Sequence, residues 1–458
     1  MNKTAVINIV GLTRRLIGAH TPRIRAFAQA GSLRDIRPQL PAVTCSAQAT
    51  YLTGQAPSGH GIVGNGWYFR DECEVKFWRQ SNRLVGAPKI WELLKAEDPG
   101  VTCANLFWWY NMYSSVDFSL TPRPNYLADG RKIPDVYSHP PALRDQLQKE
   151  LGPFPLFRFW GPKADIRSSR WIAEAAMRTD RLHDPTLSLI YLPHLDYNLQ
   201  RHGLDFEKIG GDLAEIDQVV GQLIDYYRER NARIVLLSEY GITDVCRPVH
   251  LNRVLRARGL VALRVERGLE LLDAGASEAF AVADHQVAHV YVKDSARIAE
   301  VRAILEGVPG VERVLGEEEL IGAGLSHPRS GDLFAVATPD SWFTYYYWED
   351  DARAPDFARL VDIHKKPGYD PVELFTDPSD PLVMPRILWK LLKKKLGFRT
   401  LMDVIPLRAE LVKGSHGRLP EDRQDYPIFI SDNPALESGG VLEATEVCGE
   451  LISVLKGR

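Results

Sequence analysis

A hydroxyl becomes a useful nucleophile when nearby cations or backbone N–H groups stabilise its alkoxide. The stretch Leu40 to Phe69, LPAVTCSAQATYLTGQAPSGHGIVGNGWYF, offers such a setting. Pro41 ends an extended segment, and the spacing predicts a helix that starts at Thr44 to Ser46 and stops at Gly54. A hydroxyl at that N-terminus sits among free N–H groups at the positive end of the helix dipole, where phosphate is also favoured. The same residues serve equally as an ordinary Thr/Ser helix cap. Arg14, Arg15 and Lys132 could neutralise a phosphate. Guanidinium does so bidentately, although solvated surface charge accounts for these residues too.

Further chemistry-bearing residues lie where apolar runs meet polar clusters. SLIYLPHLDYNLQRHG carries His194, Asp196, Gln200 and His202, and RIVLLSEYGITDV carries Glu239 and Tyr240. AVADHQVAHVYV adds Asp284, His285 and His289, and strand periodicity places both histidines on one face. His364, in VDIHKKPGYDP, is another imidazole. Each histidine could equally be a hydrogen-bonded core or surface residue.

The elements that must position these residues follow from alternating apolar runs and amphipathic patterns. Strands are expected at Ala5 to Val10, Thr102 to Phe107, Thr186 to Leu192 and Arg233 to Leu237. Helices are expected at Pro22 to Ala30, Pro88 to Ala96, Ser168 to Thr179 and Asp212 to Arg230. This alternation predicts an α/β fold, a doubly wound, mostly parallel sheet, in which ligands bind outside the carboxyl ends of strands. After Gly241 the pattern changes. Helices at Leu251 to Arg258 and Arg297 to Leu305, with strands at Leu260 to Val265, Val287 to Val292 and Val311 to Leu315, indicate a smaller inserted α/β unit. The expected division is a first core segment over 1–242, the insertion over 243–325, and a return to the core over 326–458, beginning with a strand at Leu333 to Ala337.

Charge and composition narrow the function classes. Lys and Arg total 56 against 59 Asp and Glu, a net charge of −3, which removes the bulk electrostatic case for nucleic-acid binding. Five scattered cysteines without a CxxC pair argue against a disulfide framework or a cysteine zinc knuckle. The apolar run Ala5 to Leu12 is short and Arg14-Arg15 follow at once, unlike a secretory signal, and no run is long enough to span a membrane. A cytoplasmic location is the expectation, with the oligomeric state open. The aromatic runs FWWYNMYSS and SWFTYYYW could line a pocket or pack as core, and WKLLKKKLGFR could be a membrane-surface segment or a solvated helix face.

The segment around Thr44 resembles the nucleophile region of the alkaline-phosphatase superfamily, in the branch of nucleotide pyrophosphatase/phosphodiesterases and phosphonoacetate hydrolase. Pro41, Thr44, Thr53-Gly54, Pro57, His60-Gly61-Ile62 and Asn65 stand in register with that pattern, and HLDY, SEYG, RSGD and GSHG follow in order. The resemblance implies an alkaline-phosphatase-like fold, Thr44 as covalent phosphoryl acceptor, and two divalent ions clamping the attacking and leaving oxygens. Several positions depart from the pattern. Ala47 replaces an Asn that holds phosphate, Val10 replaces a ligand Asp, and Gln200 and Tyr240 replace ligand histidines. Asp196 and His416 are retained and Glu239 is a conservative replacement, with His194 or His285 as possible recruits.

The resemblance therefore implies a phosphoryl or phosphodiester hydrolase acting on a small phosphorylated substrate. Thr44 would be its nucleophile, with Asp196, Glu239 and His416 as metal ligands and Arg14, Gln200 and Tyr240 as substrate contacts. Zinc, manganese or magnesium would bind in an incomplete site rather than as the full pair. Two alternatives share the scaffold: an enzyme with different or metal-independent chemistry, and a non-catalytic relative that binds a phosphorylated ligand.

Overall fold

The computed structural model describes residues 1–128, 131–433 and 439–457. Its centre is a nine-stranded sheet whose order is Val441–Glu443, Ser32–Arg37, Ile428–Ser431, Arg233–Leu237, Thr4–Ile9, Leu187–Leu192, Cys103–Leu106, Phe118–Pro122 and Val136–His139. The five strands from Arg233–Leu237 to Phe118–Pro122 run parallel. Thr4–Ile9 is buried throughout, as a strand covered on both faces must be. Helices Arg167–His183, Phe206–Glu229 and Pro22–Ala30 pack as one group, and Thr44–Thr53, Ile90–Glu97 and Val447–Lys456 as another. The fold is thus mixed α/β around a large, mostly parallel sheet.

The expected strands and helices of this core appear with their ends shifted by a few residues; the long helix starts earlier, at Phe206, because Asp205 caps it by accepting from the Glu207 N–H. Two antiparallel strands that the apolar runs did not reveal join the sheet: Ile428–Ser431, between Arg233–Leu237 and Ser32–Arg37, and Val136–His139, at one edge.

The second unit is a four-stranded antiparallel sheet ordered Ala279–Asp284, Val287–Val292, Leu333–Ala337, Val311–Leu315. Leu333–Ala337 therefore belongs to this smaller sheet and not to the returning core. It pairs with Val287–Val292 and Val311–Leu315, so the smaller sheet extends beyond the expected end at residue 325. Leu263–Glu266 also differs from expectation: it pairs only in a hairpin with Leu269–Leu272, outside that sheet. His285 is not in a strand. It sits in the turn of the hairpin with φ of 63°, so the shared face expected for it and His289 does not exist.

Both aromatic runs are core except at Tyr113, which is exposed. Trp108, Trp109 and Tyr110 are buried, as are Trp342, Tyr345, Tyr346, Tyr347 and Trp348. Packing, not ligand contact, explains them.

Candidate active site

Four chain segments meet beyond the carboxyl ends of the parallel strands. Thr44 is the first residue of helix Thr44–Thr53, after extended Val43, and no side chain caps that helix. Its hydroxyl is spent elsewhere: Thr44 Oγ1 lies 3.1 Å from the Tyr240 hydroxyl. Tyr240 donates to Asp196 Oδ1 at 3.2 Å, and Gln200 Nε2 donates to Asp196 Oδ2 at 2.7 Å. When Asp196 is ionised the Tyr240 proton points at the carboxylate, and the Thr44 hydroxyl is then the donor to Tyr240. A directed chain of three groups results: Thr44, Tyr240, Asp196.

Glu239 follows strand Arg233–Leu237 and is fully buried. Asn8 Nδ2 and Gln48 Nε2 both donate to its Oε1, at 2.6 and 2.5 Å, while Oε2 has no hydrogen-bond partner. Burial raises the Glu239 carboxyl to about 8 and the Asp196 carboxyl to about 7. His416 Nδ1 donates to Ala42 O at 2.8 Å, which sets its tautomer, and Nε2 lies 4.0 Å from Asp196 Oδ1. Burial lowers the His416 imidazole to about 3, so it is neutral across the physiological range.

The second unit closes the site. His285 stacks on His416 and on Tyr369, with centroids 3.6 Å apart in each case, and Gln286 N donates to His416 O at 2.8 Å. Tyr369 in turn exchanges hydrogen bonds with the Gln200 amide. Asn65 ties the helix to this unit: its Oδ1 accepts from Cys45 N at 3.0 Å, and its N and Nδ2 donate to Asp284 at 2.8 and 3.0 Å. Thr44 is 4% exposed, Asp196 7% and Tyr240 3%, so the assembly is shut against solvent.

The other sequence candidates go elsewhere. Arg14 Nε donates to Asp35 Oδ1 at 2.9 Å, a carboxylate it shares with Arg423, so the expected substrate contact is committed to an ion pair. Arg15 pairs with Asp422 and Asp425. His194 turns to the long helix, with Nε2 3.1 Å from Asp212 Oδ1 and 3.7 Å from Glu215 Oε2, and does not join Asp196. With Glu215 these form the one group of three His, Cys, Asp or Glu side chains, among the described residues, whose ligand atoms lie within 4.8 Å of one another. His289 bonds Val63 O and Gly331 N, which makes it a structural residue. Gln200 and Tyr240 touch Asp196 directly, in place of the imidazoles that the resemblance leads one to expect. Asn8, Gln48 and Tyr369 escaped sequence reasoning. A polar Asn inside the apolar run AVINIV was the one legible signal among them.

Comparison with known proteins agrees with this architecture. The sequence model of a family described as type I phosphodiesterase / nucleotide pyrophosphatase matches residues 4–370. An uncharacterized pyrophosphatase/phosphodiesterase of Schizosaccharomyces pombe is 26% identical over 245 residues, 51% of this chain and 42% of that protein. Ectonucleotide pyrophosphatase/phosphodiesterase 1 of Saccharomyces cerevisiae is 24% identical over 226 residues, 46% of this chain and 29% of that protein. The matched region thus spans less than half the length of these curated relatives. Among solved structures, an inactive variant of murine ectonucleotide pyrophosphatase/phosphodiesterase 5 in complex with AMP aligns with a TM-score of 0.59 at 16% identity, covering 100% of this chain and 95% of the other. Phosphonoacetate hydrolase from Sinorhizobium meliloti in complex with phosphonoacetate gives 0.62 at 14% identity, covering 99% and 96%.

Proposed function

The chain belongs to the type I phosphodiesterase / nucleotide pyrophosphatase family, and we propose that it hydrolyses a small phosphorylated or phosphonylated substrate through Thr44, with fewer cations than the family's usual pair. The observation that supports this reading is the hydrogen-bonded chain from Thr44 through Tyr240 to Asp196 at the N-terminus of a buried helix. As Thr44 Oγ1 attacks phosphorus, its proton passes to the Tyr240 oxygen and the Tyr240 proton to Asp196. The Oγ1–P bond forms while the bond from phosphorus to the leaving group breaks, to oxygen in a phosphate ester or to carbon in a phosphonate such as phosphonoacetate, and water later releases the phosphoryl group from Thr44. The relatives bound to AMP and phosphonoacetate suggest the substrate class.

The donor set does not suit two ions. Val10 offers no ligand atom, the Gln200 amide is spent on Asp196 and Tyr369, and the Tyr240 phenol is held in its neutral form by burial. One ion fits the remaining groups better: Glu239 Oε2 is a buried oxygen without a partner, and Asp196 and His416 stand close together. A zinc, manganese or magnesium ion held by Asp196 and His416, which lie 4.0 Å apart, would supply positive charge to the transferring phosphoryl oxygens; Glu239 does not stand within ligand distance of both and would have to shift to join them.

The closure of the site by Tyr240 also favours a second reading, a phospholigand-binding relative without turnover. Steady-state rates for the wild type and Thr44→Ala over nucleotide, diester and phosphonate substrates, with each metal supplied, separate the two. The hydrolase reading expects turnover that Thr44→Ala abolishes. It also expects a stability loss of about 1 kcal/mol, the worth of one hydrogen bond. A wild type inert on the whole panel would reject it, and equal rates in both proteins would reject Thr44 as nucleophile.

A further inference from the structure

Helix Val383–Lys395 is the least expected part of the surface. Only Ile387 is buried in it. Of the twenty large apolar side chains exposed among the described residues, nine fall between Leu382 and Leu401. Met384, Leu388, Leu391 and Leu392 form a stripe at helical spacing, each between 43% and 62% exposed. Arg386, Lys390, Lys393 and Lys394 repeat that spacing two residues on, about 200° around the helix, and so lie on the opposite side. Pro381 to Met402 contains six Lys or Arg and no Asp or Glu, in a chain whose net charge is −3. The flanking acids engage only part of this charge: Asp380 pairs with Arg386 and Asp403 with Lys390. Lys393 lies over the Trp389 ring at 5.2 Å. At the base of the arm, Arg408 Nη1 lies 3.1 Å from Asp377 Oδ1 and joins the chain entering the arm to the chain leaving it.

A helix that only needed solubility would bury its apolar stripe on its own protein or replace it with polar residues. This one presents Leu, Met and Trp to solvent beside uncompensated lysines, the pattern of a segment that lies in a lipid interface. No helix among the described residues is long and apolar enough to cross a membrane. We propose that the arm of residues 381–402 docks the protein on an anionic lipid surface, with Trp389, Leu392 and Leu396 entering the acyl boundary and Lys393, Lys394 and Arg399 meeting the lipid phosphates. The charge singles out the occupant, because an apolar protein groove would not call for a run of cations without a single acid.

Co-sedimentation of the full chain with vesicles tests the proposal. One set is phosphatidylcholine alone and the other carries roughly one third phosphatidylglycerol. Binding should be at least about tenfold tighter to the anionic set and should weaken as salt is added, because screening shortens the reach of the lysines. The charge reversal Lys393→Glu, Lys394→Glu, Arg399→Glu should remove the preference for anionic vesicles. The variant Trp389→Ser, Leu392→Ser, Leu396→Ser should lose binding to both sets. Five of the six side chains are exposed and Lys393 is half-buried, so both variants should melt as the wild type does; a variant that does not is replaced by the single change Lys394→Glu or Leu396→Ser, with the same expectation in smaller degree. Failure of the wild type to bind anionic vesicles overturns the proposal, as does binding that neither class of variant weakens. Light scattering that shows a lipid-free dimer, lost in the Ser variant and without vesicle binding, would assign the stripe to self-association instead.

Discussion

The Tyr240 phenol lies flat on the His416 imidazole, with ring centroids 3.5 Å apart and planes inclined by 6°. Its hydroxyl reaches Thr44 on one side and Asp196 on the other. One aromatic side chain thus fills the space between the hydroxyl, the carboxylate and the imidazole that the family resemblance had picked out. The consequences can be tested one group at a time.

Tyr240→Phe keeps the stack on His416 and removes only the hydroxyl. If that hydroxyl relays the Thr44 proton, turnover should fall by about 10²–10⁴, the usual worth of general acid–base help. Melting should report a loss of only about 1 kcal/mol, since Gln200 still satisfies Asp196. Undiminished turnover in the Phe variant would exclude the relay.

Metal content follows from the donor set. Protein purified without chelator and then supplied with excess zinc or manganese should hold no more than about one ion per chain at this site by elemental analysis. His416→Ala should abolish that uptake together with the accompanying rise in melting temperature. A wild type carrying two ions, both lost in His416→Ala, would contradict the reading.

Buried carboxyls set the response to alkali. Glu239 at about 8 and Asp284 at about 7 are raised by burial, so the folded protein holds these protons more tightly than the unfolded chain. Their stabilising effect is complete below the ordinary carboxyl range of about 4 and is lost as pH rises through 7 to 8. His60 and His416, both lowered to about 3, act in the opposite sense and only below about 6.5. Between about pH 6.5 and 8, then, the melting temperature should fall, and Glu239→Gln should flatten that fall. A Gln variant with the wild-type slope would show that Glu239 does not carry it.

Asn65 joins the Thr44 helix to the second unit through Asp284. Asn65→Ala leaves Asp284 with only the backbone N–H of residue 65 and strips Cys45 N of its acceptor, so stability should drop by about 1–3 kcal/mol. The loss should be smaller at acidic pH, where Asp284 is neutral, than at pH 8. Equal losses at the two pH values, read from denaturant melts, would rule out a charged Asp284 as the source.

Local patterns in the chain determined the parallel core. Runs such as AVINIV and RIVLL are apolar because strands covered on both faces must be, and that requirement is legible without a structure. The helix that begins at Thr44 was legible too, from Pro41 before it and Gly54 after it. Short strands such as Ile428–Ser431 carry too little periodicity to stand out, and the membership of Leu333–Ala337 depends on which partner it pairs with, which a strand pattern does not encode. Only the tertiary structure decided the neighbours of the site. Tyr240 meets His416, Gln200 meets Tyr369, Asn8 and Gln48 meet Glu239, and Arg14 turns away to Asp35. These partners are set by sheet register and by the return of distant segments. A residue's type and its local spacing fix what it can bond, whereas the packed fold fixes what stands within reach.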